Sequence, residues 1–321
     1  MSQLNRRIFL SRSVRGAAVA GLIFHTHSLR AQQARKSGGL EPYPNAVAVG
    51  NKGVIYVADH VLKTIYRLGE GNKLEVVYKG SQKYRTPLFR VFAMAQDGAG
   101  NLFLCDTGTM DVWRLSPDGK LKPLTGAKIA RGRGPVPADQ DFDAEAAYAG
   151  KFDKPMGIVI EPDGNLVIAD LGLNAIFRLS PEGGEPREIA RVPAPHGITL
   201  DHDGNLVVVS QGKDQLLRVS PKGEVTPIVQ GALAPKNNPH YVAVDKAGYI
   251  VSDNYASAIW RVTPDGQVSP IAQGTPLDKP VGLALEADGN ILVADPWAKK
   301  LFRVSPQGQV NTVVSFATPS D

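Results

Sequence analysis

Short runs of apolar residues alternate along the chain with short turns. In one copy, the run Leu166 to Ala169 follows an Asp-Gly-Asn turn and ends at Asp170, and a second run, Ile176 to Leu179, ends at Ser-Pro. Apolar and β-branched runs of this length, bounded by Gly, Asn, Asp and Pro, are typical of β-strands. The pattern therefore predicts a chain built from many short strands.

The same arrangement occurs six times: Pro-x-Gly, an apolar strand, a Gly-Asn turn, a strand ending at Asp, and an aromatic-Arg pair. The turn glycines and the arginines that follow them are Gly53 and Arg67, Gly100 and Arg114, Gly164 and Arg178, Gly204 and Arg218, Gly248 and Arg261, and Gly289 and Arg303. A repeat of about 40 residues with four strands per unit is typical of β-propellers. We predict an all-β, six-bladed β-propeller with four antiparallel strands per blade. Its blades are expected at about 42–80, 84–126, 152–191, 192–231, 237–274 and 277–319.

The first 31 residues have the character of an export signal. A basic stretch with Arg6 and Arg7 precedes an apolar core, Gly16 to Phe24, and a small residue, Ala31. The arginine pair resembles a twin-arginine signal. The core is shorter than the about 20 residues that cross a bilayer, so we expect no stable membrane anchor. We predict a signal peptide at 1–31, a linker at 32–41, a propeller at 42–321, and a periplasmic or secreted protein.

The charge of the chain belongs to this signal. Of 36 basic and 31 acidic residues, five arginines and no acid lie in the first 31 positions, so the remainder carries 31 of each. Because nucleic-acid binding needs a basic face, we predict no nucleic-acid partner. The single cysteine, Cys105, lies in an apolar run and is predicted to be a buried structural thiol. The sequence also lacks a Gly-x-Ser-x-Gly elbow, a phosphate-binding loop and paired cysteines for haem or iron–sulfur clusters.

Two positions in each predicted blade meet at one end of the propeller, the end at which strand A begins and strand B ends. We call this end the top. The first position is the middle residue of Pro-x-Gly, at the mouth of the central channel: Asn45, Phe92, Met156, His196, His240 and Val281. The second position ends strand B: Asp59, Asp106, Asp170, Ser210, Asp253 and Asp295. A repeated Asp after a strand is expected to cap the following turn, which is our interpretation of Asp59, Asp106 and Asp170.

Two histidines break the mouth repeat. His196 and His240 occupy adjacent blades, where the repeat itself requires no polar residue. Neutral imidazole binds zinc and transfers protons near neutral pH, so we predict His196, His240 and Asp253 as catalytic residues and metal ligands. His60 also maps to the top and is a further candidate ligand. Hydrogen bonding across the channel or to water is the alternative for the histidine pair.

Further polar and aromatic residues of the predicted top face are candidates for binding a small-molecule substrate. They are Asn45, Gln211, Tyr241, Asn254, Tyr255 and Trp297, with packing inside the loops as the alternative for Tyr255 and Trp297. An insertion at about 127–151 joins strand D of blade 2 to strand A of blade 3 and is expected to form a lid on the top. Arg131 and Arg133 within it are candidates to clamp a carboxylate, and solvated loop charge is the alternative.

The repeat resembles that of NHL-repeat propellers, with Pro280-Val281-Gly282-Leu283 through the strand ending at Asp295 as the best copy. Gluconolactonase-like lactonases, amidating lyases and streptogramin lyases are similar propellers. In amidating lyases, Pro-His-Gly segments hold a metal at the mouth, which the resemblance carries to His196 and His240. Gluconolactonases hold a divalent cation with Glu, two Asn and Asp, for which Glu41, Asn45, Asn254 and Asp253 are the nearest candidates here.

These resemblances imply an enzyme with a divalent metal ion, calcium or zinc, at the channel mouth. We predict a metal-dependent hydrolase of lactonase type that acts on a small molecule. A non-catalytic NHL-type propeller that binds a protein partner is one alternative. A lyase similar to the amidating or streptogramin lyases is the other.

Overall fold

In the computed structural model of this protein, six four-stranded antiparallel sheets account for almost all regular structure of the described residues. The structure describes residues 40–83, 86–126, 128–129, 148–213, 215–229, 231, 233 and 238–316. The predicted signal, 1–31, and most of the predicted insertion lie outside these residues. The all-β, six-bladed β-propeller predicted from the sequence is confirmed.

Each blade consists of four consecutive strands, A to D, with A innermost. Blade 1 is formed by Pro44–Val49, Ile55–Asp59, Thr64–Leu68 and Leu74–Lys79. Blade 2 is formed by Val91–Gln96, Leu102–Asp106, Asp111–Leu115 and Leu121–Pro123. Blade 3 is formed by Pro155–Ile160, Leu166–Asp170, Ala175–Leu179 and Arg187–Arg191.

The second half of the chain repeats this order. Blade 4 is formed by Pro195–Leu200, Leu206–Ser210, Gln215–Val219 and Val225–Pro227. Blade 5 is formed by Pro239–Asp245, Gly248–Asp253, Ala258–Val262 and Val268–Gln273. Blade 6 is formed by Gly282–Leu285, Ile291–Asp295, Lys300–Val304 and Val310–Ser315.

The remaining elements in the described part of the chain are short. Two 3-10 turns, Asn51–Gly53 and Glu70–Asn72, lie in blade 1. Strands Lys128–Ile129 and Tyr148–Ala149 pair with each other at the base of the insertion. Within the described residues no helix is long and apolar enough to cross a membrane.

The blades are held together by apolar packing between neighbouring sheets. Strand B is buried along its whole length in blades 2 to 6, because both of its faces pack against adjacent blades. Among the described residues, six hydrophobic clusters form, one at each interface between blades. The cluster that joins Leu292 and Leu301 to Val47 and Val57 closes the ring between blades 6 and 1. Cys105 is fully buried, as predicted, and burial raises the pKa of its thiol.

The glycines of Pro-x-Gly allow the inner strands to approach one another around the channel. A Cβ on Gly157 would lie 2.2 Å from the carbonyl oxygen of His196, and one on Gly282 would lie 2.6 Å from that of Asn45. A Cβ on Gly197 would lie 2.5 Å from Cα of Tyr241. Because these neighbours are backbone atoms, a larger residue would push the blades apart.

The repeated arginines have a structural role at the opposite end of the propeller. Arg178 makes two 2.6 Å hydrogen bonds with Glu161, and Arg303 pairs with Glu286 in the same two-bond geometry at 2.6 and 2.8 Å. In each pair the glutamate directly follows strand A, and the arginine lies in strand C of the same blade. These contacts stabilise the bottom of the blades, whereas the residues that differ between repeats lie at the top.

Candidate functional site

The mouth residues are placed by an irregularity of strand A. In blade 3 the first strand pair joins Pro155 to Asp170, and regular pairing resumes only at Gly157. The residue between them, Met156, is left out of the ladder. The same break occurs in blades 1 and 2, and in blades 4 and 5 it spans two residues. Such bulges redirect side chains at sheet ends, which is how the mouth positions come to face the channel.

Tyr241 crosses the channel below the mouth. It occupies the Gly position of Pro-x-Gly in blade 5, and its hydroxyl donates to the carbonyl oxygens of Phe92 and, at 3.0 Å, Met156. Its ring lies edge-on to His196, with ring centroids 5.4 Å apart. Desolvation in this enclosed position raises the pKa of the Tyr241 phenol well above its usual value. Tyr241 therefore forms a floor between the mouth and the rest of the channel.

His196 is a neutral, buried histidine. Only 1% of the residue is exposed, and its burial, partly offset by a hydrogen bond to the His240 backbone, lowers the pKa of the imidazole to about 3. Its Nδ1 atom is buried and has no hydrogen-bond partner among the described residues. The His240 ring lies edge-on to it at a centroid distance of 4.7 Å. The two histidines predicted from the sequence are thus brought together.

His240 is held by carboxamide side chains. The amide nitrogen of Asn254 lies 2.8 Å from Nε2, that of Asn238 lies 3.2 Å from the same atom, and that of Gln211 lies 3.5 Å from Nδ1. Asn238 also donates to Oδ1 of Asn254 at 3.1 Å. We call Gln211, Asn238 and Asn254 the amide cluster. Both ring nitrogens of His240 therefore lie next to carboxamide groups of other residues.

The aspartates that end strand B cap the B–C turns. Asp170 accepts hydrogen bonds from the backbone N–H groups of Asp153, Lys154 and Leu173 at 2.9 to 3.0 Å. Asp59 and Asp106 make equivalent bonds, which confirms the capping interpretation. Burial nevertheless raises the pKa of Asp59 to about 6, and it raises that of Asp106 and Asp170.

Asp253 has the same capping role and does not join the histidines in a metal site. Its carboxylate accepts from the backbone N–H groups of Asn238, Tyr255 and Ala256 at 3.0 to 3.1 Å, and from Trp260 Nε1 at 3.2 Å. In the described part of the chain no group of three His, Cys, Asp or Glu side chains is placed to hold a metal ion. The predicted site of His196, His240 and Asp253 is therefore not formed, because the carboxylate is already satisfied by the turn.

The alternative calcium set does not fit either. Asn45 is fully buried and donates to the carbonyl oxygen of Val91 at 2.8 Å, although its Oδ1 atom has no partner among the described residues. Asn254 belongs to the amide cluster, Asp253 caps its turn, and Glu41 is exposed. A calcium site needs several converging oxygens, whereas Oδ1 of Asn254 and Oδ1 of Asp253 already accept other hydrogen bonds.

Aromatic residues line the opposite side of the top. Ring centroids are 5.2 Å apart between Tyr43 and Trp297, 4.4 Å between Tyr43 and His60, and 5.4 Å between His60 and Phe92. All four side chains are half-buried. We call these four residues, which come from blades 6, 1 and 2, the aromatic arc.

The other predicted site residues are less closely connected to the histidines. Tyr255 lies in the B–C turn of blade 5 and is 52% exposed. Arg131 and Arg133 lie outside the described residues. The base of the insertion is tied to the B–C turn of blade 2, because Gly150 donates to the carbonyl of Thr109 at 2.7 Å and Phe152 to that of Met110 at 3.1 Å.

A third top position was not predicted from the sequence: the residue that precedes strand A or its first proline. In the six blades this residue is Tyr43, Arg90, Lys154, Ala194, Asn238 and Lys279. Its backbone N–H binds the capping Asp in blade 5 and in blade 1 alike, so it is fixed beside the mouth. Asn238 and Tyr43 enter the site from this position. Its variation among otherwise similar repeats was the available signal.

The sequence matches no protein-family profile and no curated protein. Solved structures are similar in fold. Virginiamycin B lyase from Staphylococcus aureus, in a catalytically inactive variant with one histidine replaced by alanine and with quinupristin, is 18% identical, with a TM-score of 0.61 over 86% of this chain and 85% of that one.

Two further structures represent other functions. The gluconolactonase XC5397 from Xanthomonas campestris is 15% identical, with a TM-score of 0.59 over 85% of this chain and 87% of that one. A chain of a nidogen/laminin complex is 14% identical, with a TM-score of 0.58 over 85% and 96%. The protein is thus a six-bladed β-propeller of the same fold as gluconolactonase-like, streptogramin-lyase and NHL-type propellers.

Proposed function

We propose that the protein is an exported enzyme that cleaves a carbonyl-containing small molecule by lyase-type proton transfer at the channel mouth. The observation that carries this proposal is the position of the His240 imidazole within the amide cluster, where its Nε2 atom lies 2.8 Å from the Asn254 amide nitrogen. A neutral imidazole accepts a proton, and carboxamide N–H groups stabilise negative charge on oxygen. The proposal that the enzyme is exported rests on the signal peptide that the sequence predicts at residues 1–31.

The reaction uses these two capacities together. When the substrate enters, N–H groups of the amide cluster turn from Nε2 of His240 to the substrate carbonyl oxygen, which leaves the Nε2 lone pair open. His240 then takes a proton from the carbon next to the substrate carbonyl, and the electron pair of that C–H bond moves toward the carbonyl, whose oxygen gains negative charge. N–H groups of the amide cluster donate to this oxygen. The carbonyl then re-forms, a double bond forms to the adjacent carbon, and the bond from that carbon to the leaving group breaks. His240 returns the proton to the leaving group.

Neighbouring residues favour a polar ligand at this place. Nδ1 of His196 and Oδ1 of Asn45 are buried acceptors at mouth positions without partners among the described residues. Each would accept a hydrogen bond from an N–H or O–H group of a bound molecule. Tyr241 closes the channel beneath them, so the ligand enters from the top.

The inactive virginiamycin B lyase variant supports a histidine-dependent lyase, since that neighbour lost catalysis when one histidine was replaced. A lactonase is the second candidate because a gluconolactonase has the same fold. In a lactonase the same imidazole would take a proton from water, and the resulting hydroxide would attack the carbonyl. The residues that form the mouth here do not supply a metal site for that reaction.

The test is an activity screen with quinupristin, virginiamycin B and glucono-lactone, with and without EDTA, on protein purified without residues 1–31. We expect cleavage that survives EDTA and falls by about 100-fold or more in His240→Ala. His202→Ala is the matched control, because His202 is an exposed histidine near the bottom turn of blade 4.

Each outcome separates the candidates. An elimination product identifies a lyase, while an added water identifies a lactonase, and loss in EDTA with recovery on adding calcium or zinc supports the metal-dependent form. Full activity in His240→Ala contradicts the proposal. No turnover, together with capture of a specific protein ligand that His240→Ala still binds, supports the binding propeller.

A further inference from the structure

The aromatic arc consists of residues that the repeat does not require. Tyr43 occupies the position of Arg90, Lys154, Ala194 and Asn238 in other blades, and Trp297 occupies the position of Gly108, Gly172 and Gly212. Blades 2, 3 and 4 have the same four-stranded fold with small or charged residues at these places. Packing of the propeller therefore does not account for the concentration of rings on blades 6, 1 and 2.

Exposure separates these rings from the aromatic residues of the core. Trp113 is 2% exposed and Trp260 is 9% exposed, and both lie in the clusters between blades. Trp297 and Tyr43 keep part of their surface accessible at the top. Half-buried aromatic side chains offer apolar area to a ligand at low entropic cost, since their own positions are already fixed by neighbouring rings.

The ammonium group of Lys279 lies beside the aromatic arc. Nζ of Lys279 lies 4.6 Å from the ring centroid of Trp297. No carboxylate forms an ion pair with this ammonium in the part of the chain described. Lys279 precedes Pro280 and is therefore at the third top position of blade 6, where its backbone N–H is held by Asp295 at 3.0 Å. A ring in contact with Trp297 would place a substituent within reach of this charge.

We infer that the aromatic arc is a ligand subsite for a planar aromatic ring that carries a negatively charged group. The ring packs against Trp297 and Tyr43, and the anionic group pairs with Lys279. The subsite is continuous with the proposed reaction centre: Phe92 of the arc contacts Tyr241 through its carbonyl, and Tyr241 contacts His196. The inference rests on the proposed function in one respect: it takes the aromatic ring with its anionic group to be a part of the substrate.

The test measures binding, not turnover. Phenylacetate is titrated calorimetrically into the protein without residues 1–31, with cyclohexylacetate and 2-phenylethanol as probes that lack the aromatic ring or the charge. We expect phenylacetate to bind about fivefold more tightly than either. Trp297→Leu should lower the affinity by about fivefold, while Trp297→Phe, which keeps an aromatic ring, should retain most of it. Lys279→Met should remove the preference over 2-phenylethanol.

Two controls fix the interpretation. Tyr255→Leu changes an exposed aromatic residue of the same face outside the arc, and it should leave phenylacetate affinity unchanged. His240→Ala should bind phenylacetate as the parent does, so a failed cleavage assay and a failed subsite give different results. No measurable binding to the parent overturns the inference. Equal affinity of Trp297→Leu and the parent also overturns it, as does equal loss in Trp297→Leu and Tyr255→Leu.

Discussion

Blades 5 and 1 have the same backbone plan at the top but present opposite chemistry. In both, an Asp at the end of strand B accepts the N–H of the residue before the first proline of strand A. In blade 5 that residue is Asn238, which adds an amide beside His240, whereas in blade 1 it is Tyr43, which adds a ring to the aromatic arc. The cap fixes the position, and the residue placed there sets the chemistry.

This difference divides the mouth into two halves. The amide cluster surrounds the His240 imidazole with carboxamide groups, which suits bond making and breaking at a carbonyl. The aromatic arc offers rings and one ammonium group, which suit binding. The comparison leads to four predictions, from the largest expected effect to the smallest.

The amide cluster is expected to contribute most to the rate. Asn254→Ala removes an amide of the cluster, whose nitrogen lies 2.8 Å from His240 Nε2 and which is proposed to donate to the substrate oxygen, so it should lower kcat by about 100-fold. Asn165→Ala, which changes a half-buried asparagine in the bottom turn of blade 3, is the control and should keep kcat. If Asn254→Ala lowers only the substrate affinity and leaves kcat unchanged, this amide contributes to binding and not to the rate.

The cap of blade 5 is expected to matter mainly for stability. Asp253→Ala leaves buried backbone N–H groups and the Trp260 N–H without an acceptor, and should lower the free energy of unfolding by about 3 kcal/mol. Urea denaturation measures this loss. Asp170→Ala should lose a similar amount, because the same turn is uncapped in a blade without site residues. Loss of a bound metal in Asp253→Ala, but not in Asp170→Ala, would contradict the capping account.

His196 should make the fold sensitive to acid. Its pKa is about 3 in the folded protein against 6.5 for the free side chain, so the unfolded chain binds the proton first as the pH falls. Stability from this group is therefore present above pH 6.5 and is lost toward pH 3. Between pH 7 and pH 5 the parent should lose about 2 kcal/mol of unfolding free energy relative to His196→Leu.

The difference between the two proteins isolates His196. Burial raises the pKa of Asp59 to about 6, and a raised carboxyl pKa favours the folded state as the pH falls, which opposes the histidine. This contribution is common to parent and variant and cancels. Urea titrations that give the same pH dependence for both would show that His196 does not remain neutral in the fold.

Tyr255 should matter least. It is 52% exposed in the turn between the capped strands of blade 5. Tyr255→Ala should change the free energy of unfolding by less than about 0.5 kcal/mol, as measured by urea denaturation. KM should also stay unchanged, and a clear rise in KM would instead support the role in substrate binding that the sequence predicts for Tyr255.

The repeat made the fold predictable, and the site was predictable only where the repeat was broken. Six similar segments can bury their strands only by packing around an axis, so blade number and the top face followed from the sequence. His196 and His240 stood out because neighbouring repeats have apolar residues there. The prediction of Asp253 as a metal ligand did not foresee its cap. Spacing along the chain does not show that this carboxylate already accepts hydrogen bonds from four N–H groups.

Asn238 and Tyr43 were not predicted because their position looked like ordinary loop sequence. Their side chains reach the mouth only because Asp253 and Asp59 hold the backbone, a contact between residues 15 and 16 positions apart, respectively. The floor formed by Tyr241 was also not predictable from the sequence, since its hydroxyl contacts Phe92, which lies 149 residues away along the chain. Contacts of this kind depend on ring closure and have no local signature.

Steady-state kinetics of His240→Ala and Trp297→Leu, measured side by side on a substrate from the activity screen that carries an aromatic ring, test the division of the mouth most directly. We expect the His240 variant to lose kcat by about 100-fold with little change in KM, and the Trp297 variant to raise KM by about fivefold with kcat retained. If both variants change the same parameter to the same extent, the two halves do not have separate roles.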